Sequence, residues 1–174
     1  MDTKKNNTAR IRSTAAGVLA LVWMCIIFAF SAQTKEESSA VSEGFSYRMV
    51  NTTWLLLHLN IDEEKLREIA GAIEYFVRKG AHMTEYAILA VLIYIWISRW
   101  QMPRFRMACS AIVLSIIYAC SDEIHQLFVA GRAGRVSDVL VDSAGAVIGL
   151  ALFLFIKMCV CKVGNNKQEL RSNS

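Results

Sequence analysis

Four runs of residues almost free of charge constrain this chain more than any other feature of its sequence. A bilayer hydrocarbon core of ~30 Å takes about twenty apolar residues in a helix. Thr14–Ser31 carries no charged residue. Ala81–Ser98 holds only His82 and Glu85, both near its start. Met107–Ser121 is short, but reaches spanning length if the helix continues through polar residues to Phe128. Val139–Ile156 holds only Asp142, again near its start. The hydrophobic residues, 55% of the chain, are gathered into these blocks, so the chain reads as one membrane domain. The expected fold is all-α, an integral membrane bundle of four transmembrane helices at about residues 14–31, 80–98, 105–128 and 138–158. The membrane domain would occupy residues 14–160, between a basic N-terminal segment (1–13) and a polar tail (161–174).

Basic residues set the expected orientation. Lys4, Lys5, Arg10 and Arg12 precede the first run. Arg99, Arg104 and Arg106 crowd the connection between the second and third. Lys157, Lys162, Lys167 and Arg171 follow the fourth. With four crossings all three clusters fall on one side, which the positive-inside rule makes cytoplasmic, with both termini inside. The first run resembles a signal sequence, but its apolar stretch is long, and cleavage after Ala32 would leave bulky Phe30 at −3, so a retained helix is expected. The net charge of +4 is spread beside apolar runs, which points to topology signals and away from nucleic acid. Five cysteines show no CxxC spacing, so neither a disulfide framework nor a zinc ribbon is expected. Cys159 and Cys161 are candidates for acylation, though buried thiols are the simpler expectation.

The one long connection, residues 32–79, falls outside. Asn60, Ile61, Asp62 and Glu63 offer a helix start with acids in the first turn. Leu66, Ile69, Ala70, Ile73, Phe76 and Val77 then recur at helical spacing, predicting an amphipathic helix in the outer interface that feeds the second crossing. Trp54–Leu57 is apolar, too short to span, and is expected to help cap the outer site.

Polar clusters at the ends of all four crossings meet at that outer depth. They are Ser31 to Gln33 on the first, Arg78, Lys79, His82, Glu85 and Tyr86 on the second, Asp122 to Gln126 on the third, and Asp138 with Asp142 on the fourth. On the fourth, Asp138, Asp142, Gly145 and Gly149 form one stripe, whose glycines permit a close helix contact. Ionisable groups at membrane depth are costly, so a chain that keeps them invites a functional reading. The structural alternative is a lattice of ion pairs in which Arg78, Lys79, Arg132 and Arg135 neutralise Glu85, Asp122, Asp138 and Asp142, leaving Glu123 over.

Three chemistries compete. His82, Glu85, Asp122 and His125 are suitable metal ligands, but no closed ligand motif appears, and neither a metal nor another cofactor is expected. His82 or His125 could serve as a base with Asp122 or Glu123 beside it, but no nucleophile motif accompanies them; Ser121 and Ser137 are merely available. The third is a binding site in which arginines hold an anionic headgroup while acids engage amines or hydroxyls. Its expected residues are Gln33, Arg78, Lys79, His82, Glu85, Tyr86, Asp122, Glu123, Gln126, Arg132, Asp138 and Asp142.

Several fragments together resemble one family: Phe30-Ser31-Ala32-Gln33; Arg78-Lys79-Gly80-Ala81-His82 with Glu85-Tyr86-Ala87-Ile88-Leu89; Tyr118 and Asp122 through Val129, then Gly131-Arg132; and Asp138-Val139 with Asp142 and Gly145. This pattern is similar to the VanZ-like family of small bacterial membrane proteins, over most of the chain outside the termini and parts of the long connection. Two positions depart from it: Ala130 stands where members often have proline, and Glu85 where a less polar residue is usual. The resemblance implies a multi-pass protein of the bacterial cytoplasmic membrane. The family's namesake gives low-level resistance to teicoplanin, a glycopeptide with a lipid tail that binds wall precursors. A non-enzymatic role in lipoglycopeptide resistance or envelope homeostasis is therefore expected. The partners would be membrane lipids and a lipid-linked wall precursor or the lipoglycopeptide itself. A membrane-embedded enzyme acting on a lipid or wall-precursor headgroup, and a structural or partner-binding bundle, are the alternatives.

Overall fold

The computed structural model describes residues 2–58 and 62–172, with side chains over 6–58 and 62–162. Its elements are α1 (Asp2–Ser31), α2 (Lys35–Leu56), α3 (Glu63–Ile97), a 3₁₀ turn (Ser98–Trp100), α4 (Arg104–Gln126) and α5 (Val136–Ser172). The described residues contain no strand. Four segments, Asn6–Ser31, Glu63–Trp100, Arg104–Gln126 and Val136–Lys162, are long and apolar enough to cross a membrane. The third ends two residues before the expected Phe128, because Leu127 and Phe128 turn back to bond the carbonyls of Ile124 and His125. Of the expected helix start at 60–63, Asn60 and Ile61 lie outside the described residues, as do the side chains of Lys4, Lys5, Lys167 and Arg171.

The long connection contains more helix than its hydrophobic pattern implies. Thr34 opens α2 with a capping box: its hydroxyl accepts from the Glu37 N–H at 3.3 Å, and the Glu37 carboxylate accepts from the Thr34 N–H at 2.9 Å. The amphipathic stretch from Glu63 is helical as its spacing predicts. It is not a separate interfacial element, however, but the first half of α3. Only Gly80 interrupts the run into the apolar half, and one glycine costs about 1 kcal/mol, too little to end a helix with no proline near it. At ~1.5 Å per residue the 35 residues of α3 exceed a ~30 Å core by about 20 Å.

The first half of α3 pairs antiparallel with α2. Val50, Leu66 and Ala70 are buried between them, with Tyr47, Trp54, Ile69 and Ile73 packed around. The Tyr47 hydroxyl donates to Glu63 at one end, and Arg78 donates to the Ser39 hydroxyl at the other. Trp54–Leu57 therefore sits at the far tip of this hairpin, with Leu55, Leu56 and Leu57 exposed, and caps nothing at the bundle end.

In the bundle itself α3 touches every other helix. Tyr86, Leu89, Ala90, Ile93, Tyr94 and Ile97 form its buried stripe, against Ala20 and Ile27 of α1, Met107, Ala111 and Ala119 of α4, and Ala146 and Leu150 of α5. Lipid tails are as apolar as leucine, so packing between such helices depends on close approach at small residues. The closest is between α5 and α3. A Cβ added to Gly145 would lie 2.7 Å from Met83 Cα, and one on Gly149 2.7 Å from Ala87 Cα. For the same reason the five cysteines, expected to be buried, lie exposed on the outsides of α1, α4 and α5. Apolar company in a membrane chain does not imply an interior position.

Backbone carbonyls tie α1 into place. Ser13 donates to the Trp96 carbonyl at 2.7 Å, Trp23 Nε1 to that of Glu85 at 2.9 Å, and the Tyr118 hydroxyl to that of Met24 at 2.6 Å. The α3–α5 contact gives a direct expectation. Gly145→Ala and Gly149→Ala should each destabilise the purified protein in detergent by about 1–3 kcal/mol through overpacking. Gly71→Ala, with nothing within 4 Å of the added methyl, should be neutral or stabilise by up to about 1 kcal/mol. Equal thermal denaturation of all three would contradict the packing described.

Candidate functional site

Where α3 leaves the bundle, the starts of α2 and α5, the end of α4 and the loop 127–135 enclose a cavity of about 160 Å³. The glycine contact sets its back wall, because it holds Asp142 and Asp138, about one and two turns above Gly145, against His82 and Lys79 of α3. Lys79 Nζ meets Asp138 Oδ1 at 2.6 Å, with both side chains mostly buried. Among the described residues this is the one ion pair that joins two helices. Asp142, 4% exposed, lies a turn deeper; its carboxylate feels the charges of His82 and Lys79 but makes no hydrogen bond or close ion pair with the described residues.

The loop contributes cations. Gly131 has φ +72°, a left-handed conformation that glycine adopts without strain, and an added Cβ would lie 3.3 Å from Lys35 Cβ. This turn brings Arg132 back over the end of α1, where Nε donates to the Gln33 carbonyl at 2.9 Å and one terminal nitrogen reaches the Phe30 carbonyl at 3.5 Å. Burial pushes the Arg132 pKa down, nearby Asp122 opposes the shift, and arginine stays charged regardless. The Arg135 N–H donates to Glu123 Oε2 at 2.8 Å, leaving the Arg135 guanidinium without an ion-pair partner among the described residues. Arg78 lies 3.7 Å from Glu74 and donates to Ser39.

Of the residues singled out in the sequence, Arg78, Lys79, His82, Glu123, Gln126, Arg132, Asp138 and Asp142 line the cavity. Glu85 stands just behind, its Oε2 3.2 Å from His82 Nδ1. Tyr86 is fully buried, and its hydroxyl, lying among Asp122, Asp142 and Glu85, has no hydrogen-bond partner. Asp122 is 3% exposed; Oδ2 accepts from Gln126 Nε2 at 3.3 Å and Oδ1 has no partner. The Ser31 hydroxyl faces this carboxylate without reaching hydrogen-bond geometry. Gln33 takes part through its carbonyl alone. His125 lies elsewhere, stacked on Phe28 of α1 with ring centroids 4.3 Å apart.

Lys35, Ser38 and Tyr75 also line the cavity, and the sequence reading left them out. The capping box at Thr34 and Glu37 was the signal for Lys35 and Ser38, since it places both in the first turn of a helix. The four-acid, four-base lattice is largely absent, because only Asp138 is ion-paired by one of the four bases named. Among the described residues no three His, Cys, Asp or Glu side chains are gathered so as to hold a metal ion. In all, five cationic side chains face three acidic ones around the cavity, and drug-sized ligands occupy about 300–1,000 Å³, so it admits a headgroup-sized anion and little more.

Four membrane-length helices with a cavity of mixed charge at one end of the bundle define a multi-pass membrane protein with a polar site. The chain belongs to the VanZ/LLP1 family, whose profile matches residues 16–157. No curated protein and no solved structure matches it.

The Lys79–Asp138 pair is open to a double-mutant cycle. Lys79→Met and Asp138→Asn should each destabilise the detergent-solubilised protein, and the double variant by less than their sum, with a coupling of about 1–3 kcal/mol. Additive losses would show that the contact carries no energy.

Proposed function

We propose that the cavity opens at the extracytoplasmic face of a bacterial cytoplasmic membrane, with both termini inside, and holds the anionic headgroup of a lipid or lipid-linked wall precursor. Occupancy would change how a lipoglycopeptide such as teicoplanin accumulates at the surface, without covalent chemistry on the lipid. One observation carries this reading: a cavity of about 160 Å³ whose charged lining is predominantly cationic, with the Lys35 and Arg135 side chains free of ion pairs among the described residues. Arg99, Arg104 and Arg106 lie at the opposite end of the bundle, which supports the orientation. The cavity is too small for a whole glycopeptide or a wall-precursor disaccharide, so only the phosphate end of such a molecule would enter.

A second reading, an enzyme acting on the same headgroup, has the His82–Glu85 contact in its favour. A histidine at the cavity wall with a carboxylate at its Nδ1 is the arrangement of a general base with its orienting group. His125, stacked on Phe28, is placed for packing instead. Mass spectrometry of lipids and wall precursors from expressing and control cells separates the two readings, because only the enzyme yields a new species.

For the binding reading, expression in a susceptible Gram-positive host should raise the teicoplanin concentration needed to stop growth. Lys35→Ala and Arg132→Ala, at matched levels in the membrane, should abolish most of that protection. Unchanged susceptibility on expression of the wild-type chain, or full protection by both variants, would sink it.

A further inference from the structure

The cavity is cationic near its mouth and anionic at its floor, and a simple anion satisfies only the first. Lys35, Arg78 and Arg132 gather where α2 meets the loop: Lys35 packs on Gly131, Arg78 is bonded to Ser39, and Arg132 lies close enough to Arg78 to feel its charge. A turn deeper along α3 and α5, the level of His82 and Asp142, the balance reverses. Asp142 is 96% buried, and its carboxylate makes no hydrogen bond or close ion pair with the described residues, although it feels the charges of His82 and Lys79. The cations within reach are committed elsewhere. Lys79 is held by Asp138 at 2.6 Å, Arg132 Nε by the Gln33 carbonyl, and His82 Nδ1 by Glu85. Beyond the floor the buried Tyr86 hydroxyl has no hydrogen-bond partner among the described residues, and the Asp122 carboxylate is faced by the Ser31 hydroxyl without a hydrogen bond at Oδ1. A carboxylate taken out of water is costly to ionise unless a cation or hydrogen-bond donors replace the water it has lost. The missing complement at the floor is therefore a cation rich in N–H donors.

We propose, building on the anionic-headgroup reading above, that this cavity selects a phosphate joined by a short linker to a primary ammonium, the chemistry of an aminophospholipid headgroup such as phosphoethanolamine. The phosphate lies among Lys35, Arg78 and Arg132, and the ammonium reaches Asp142. The two zones are about one helical turn apart, ~5.4 Å, which a two-carbon linker spans. A quaternary choline has no N–H to offer the carboxylate, and a glycerol headgroup brings hydroxyls but no charge, so both are discriminated against.

The full-length protein in detergent, titrated by native mass spectrometry with short-chain phosphatidylethanolamine, phosphatidylglycerol and phosphatidylcholine, tests this. We expect the ethanolamine lipid to bind about tenfold or more tightly than either other lipid. Stepwise N-methylation of that lipid should lower affinity at each step, a readout that needs no variant to fold. Asp142→Asn should erase the preference while phosphatidylglycerol still binds, and Lys35→Gln with Arg132→Gln should weaken both phosphatidylethanolamine and phosphatidylglycerol. Competition by free O-phosphoethanolamine at the strength of the lipid would support the same chemistry with a soluble source; competition only by the lipid assigns a membrane source. Equal binding of all three lipids, or a preference that survives Asp142→Asn, overturns the proposal. If binding in that event still depends on Lys35 and Arg132, the broader headgroup reading stands alone. If no lipid binds in a Lys35- and Arg132-dependent way, both fail.

Discussion

The contact between α5 and α3 at Gly145 and Gly149 is the constraint on which the rest of the structure depends. Two helices that meet with no side chain between them are fixed in depth and rotation more tightly than two separated by leucines. Fixing α5 against Met83 and Ala87 decides which residues one and two turns above must face each other. Lys79 and Asp138 meet there, and Asp142 is carried to the level of His82. The charged site is thus a consequence of apolar close packing, and the polar groups need not hold the helices together to be correctly placed.

Two other features complete the enclosure. The left-handed turn at Gly131 returns the chain over the end of α1, where Arg132 closes the gap by bonding the Gln33 carbonyl just past the helix and reaching the Phe30 carbonyl in its last turn. The capping box at Thr34 starts α2 at once, placing Lys35 on the cavity. Both act on the backbone: one spends a guanidinium on helix-end carbonyls, the other spends a carboxylate on a helix-start N–H. Among the cavity's charged side chains, those of Lys35, Arg135 and Asp142 are left without an ion-pair contact among the described residues.

The four crossings were legible in the sequence because burial in lipid demands a composition that nothing else in the chain imitates. The stripe Asp138, Asp142, Gly145 and Gly149 was legible for the same kind of reason, since helical spacing alone puts those residues on one face. Spacing failed at the end of α4. Asp122 and His125 are three apart and look like neighbours, yet α1 lies to one side there and α5 to the other. A modest rotation therefore sends Asp122 inward and His125 onto Phe28. It failed again at α3, where the change from amphipathic to wholly apolar looks like a boundary. Backbone hydrogen bonds are indifferent to that change, and the helix runs through it. The partners of Arg132 were out of reach altogether, because carbonyls carry no residue signature.

That uninterrupted run gives α3 two arms. Its N-terminal arm carries the hairpin with α2, its C-terminal arm is clamped by three other helices, and Lys79 and His82 sit between the two. No joint between two elements separates the hairpin tip from the cavity. The residues that pack against α2 and those that face Asp138 and Asp142 belong to one hydrogen-bonded rod, so the position of the tip is set by the same helix that sets the cavity wall.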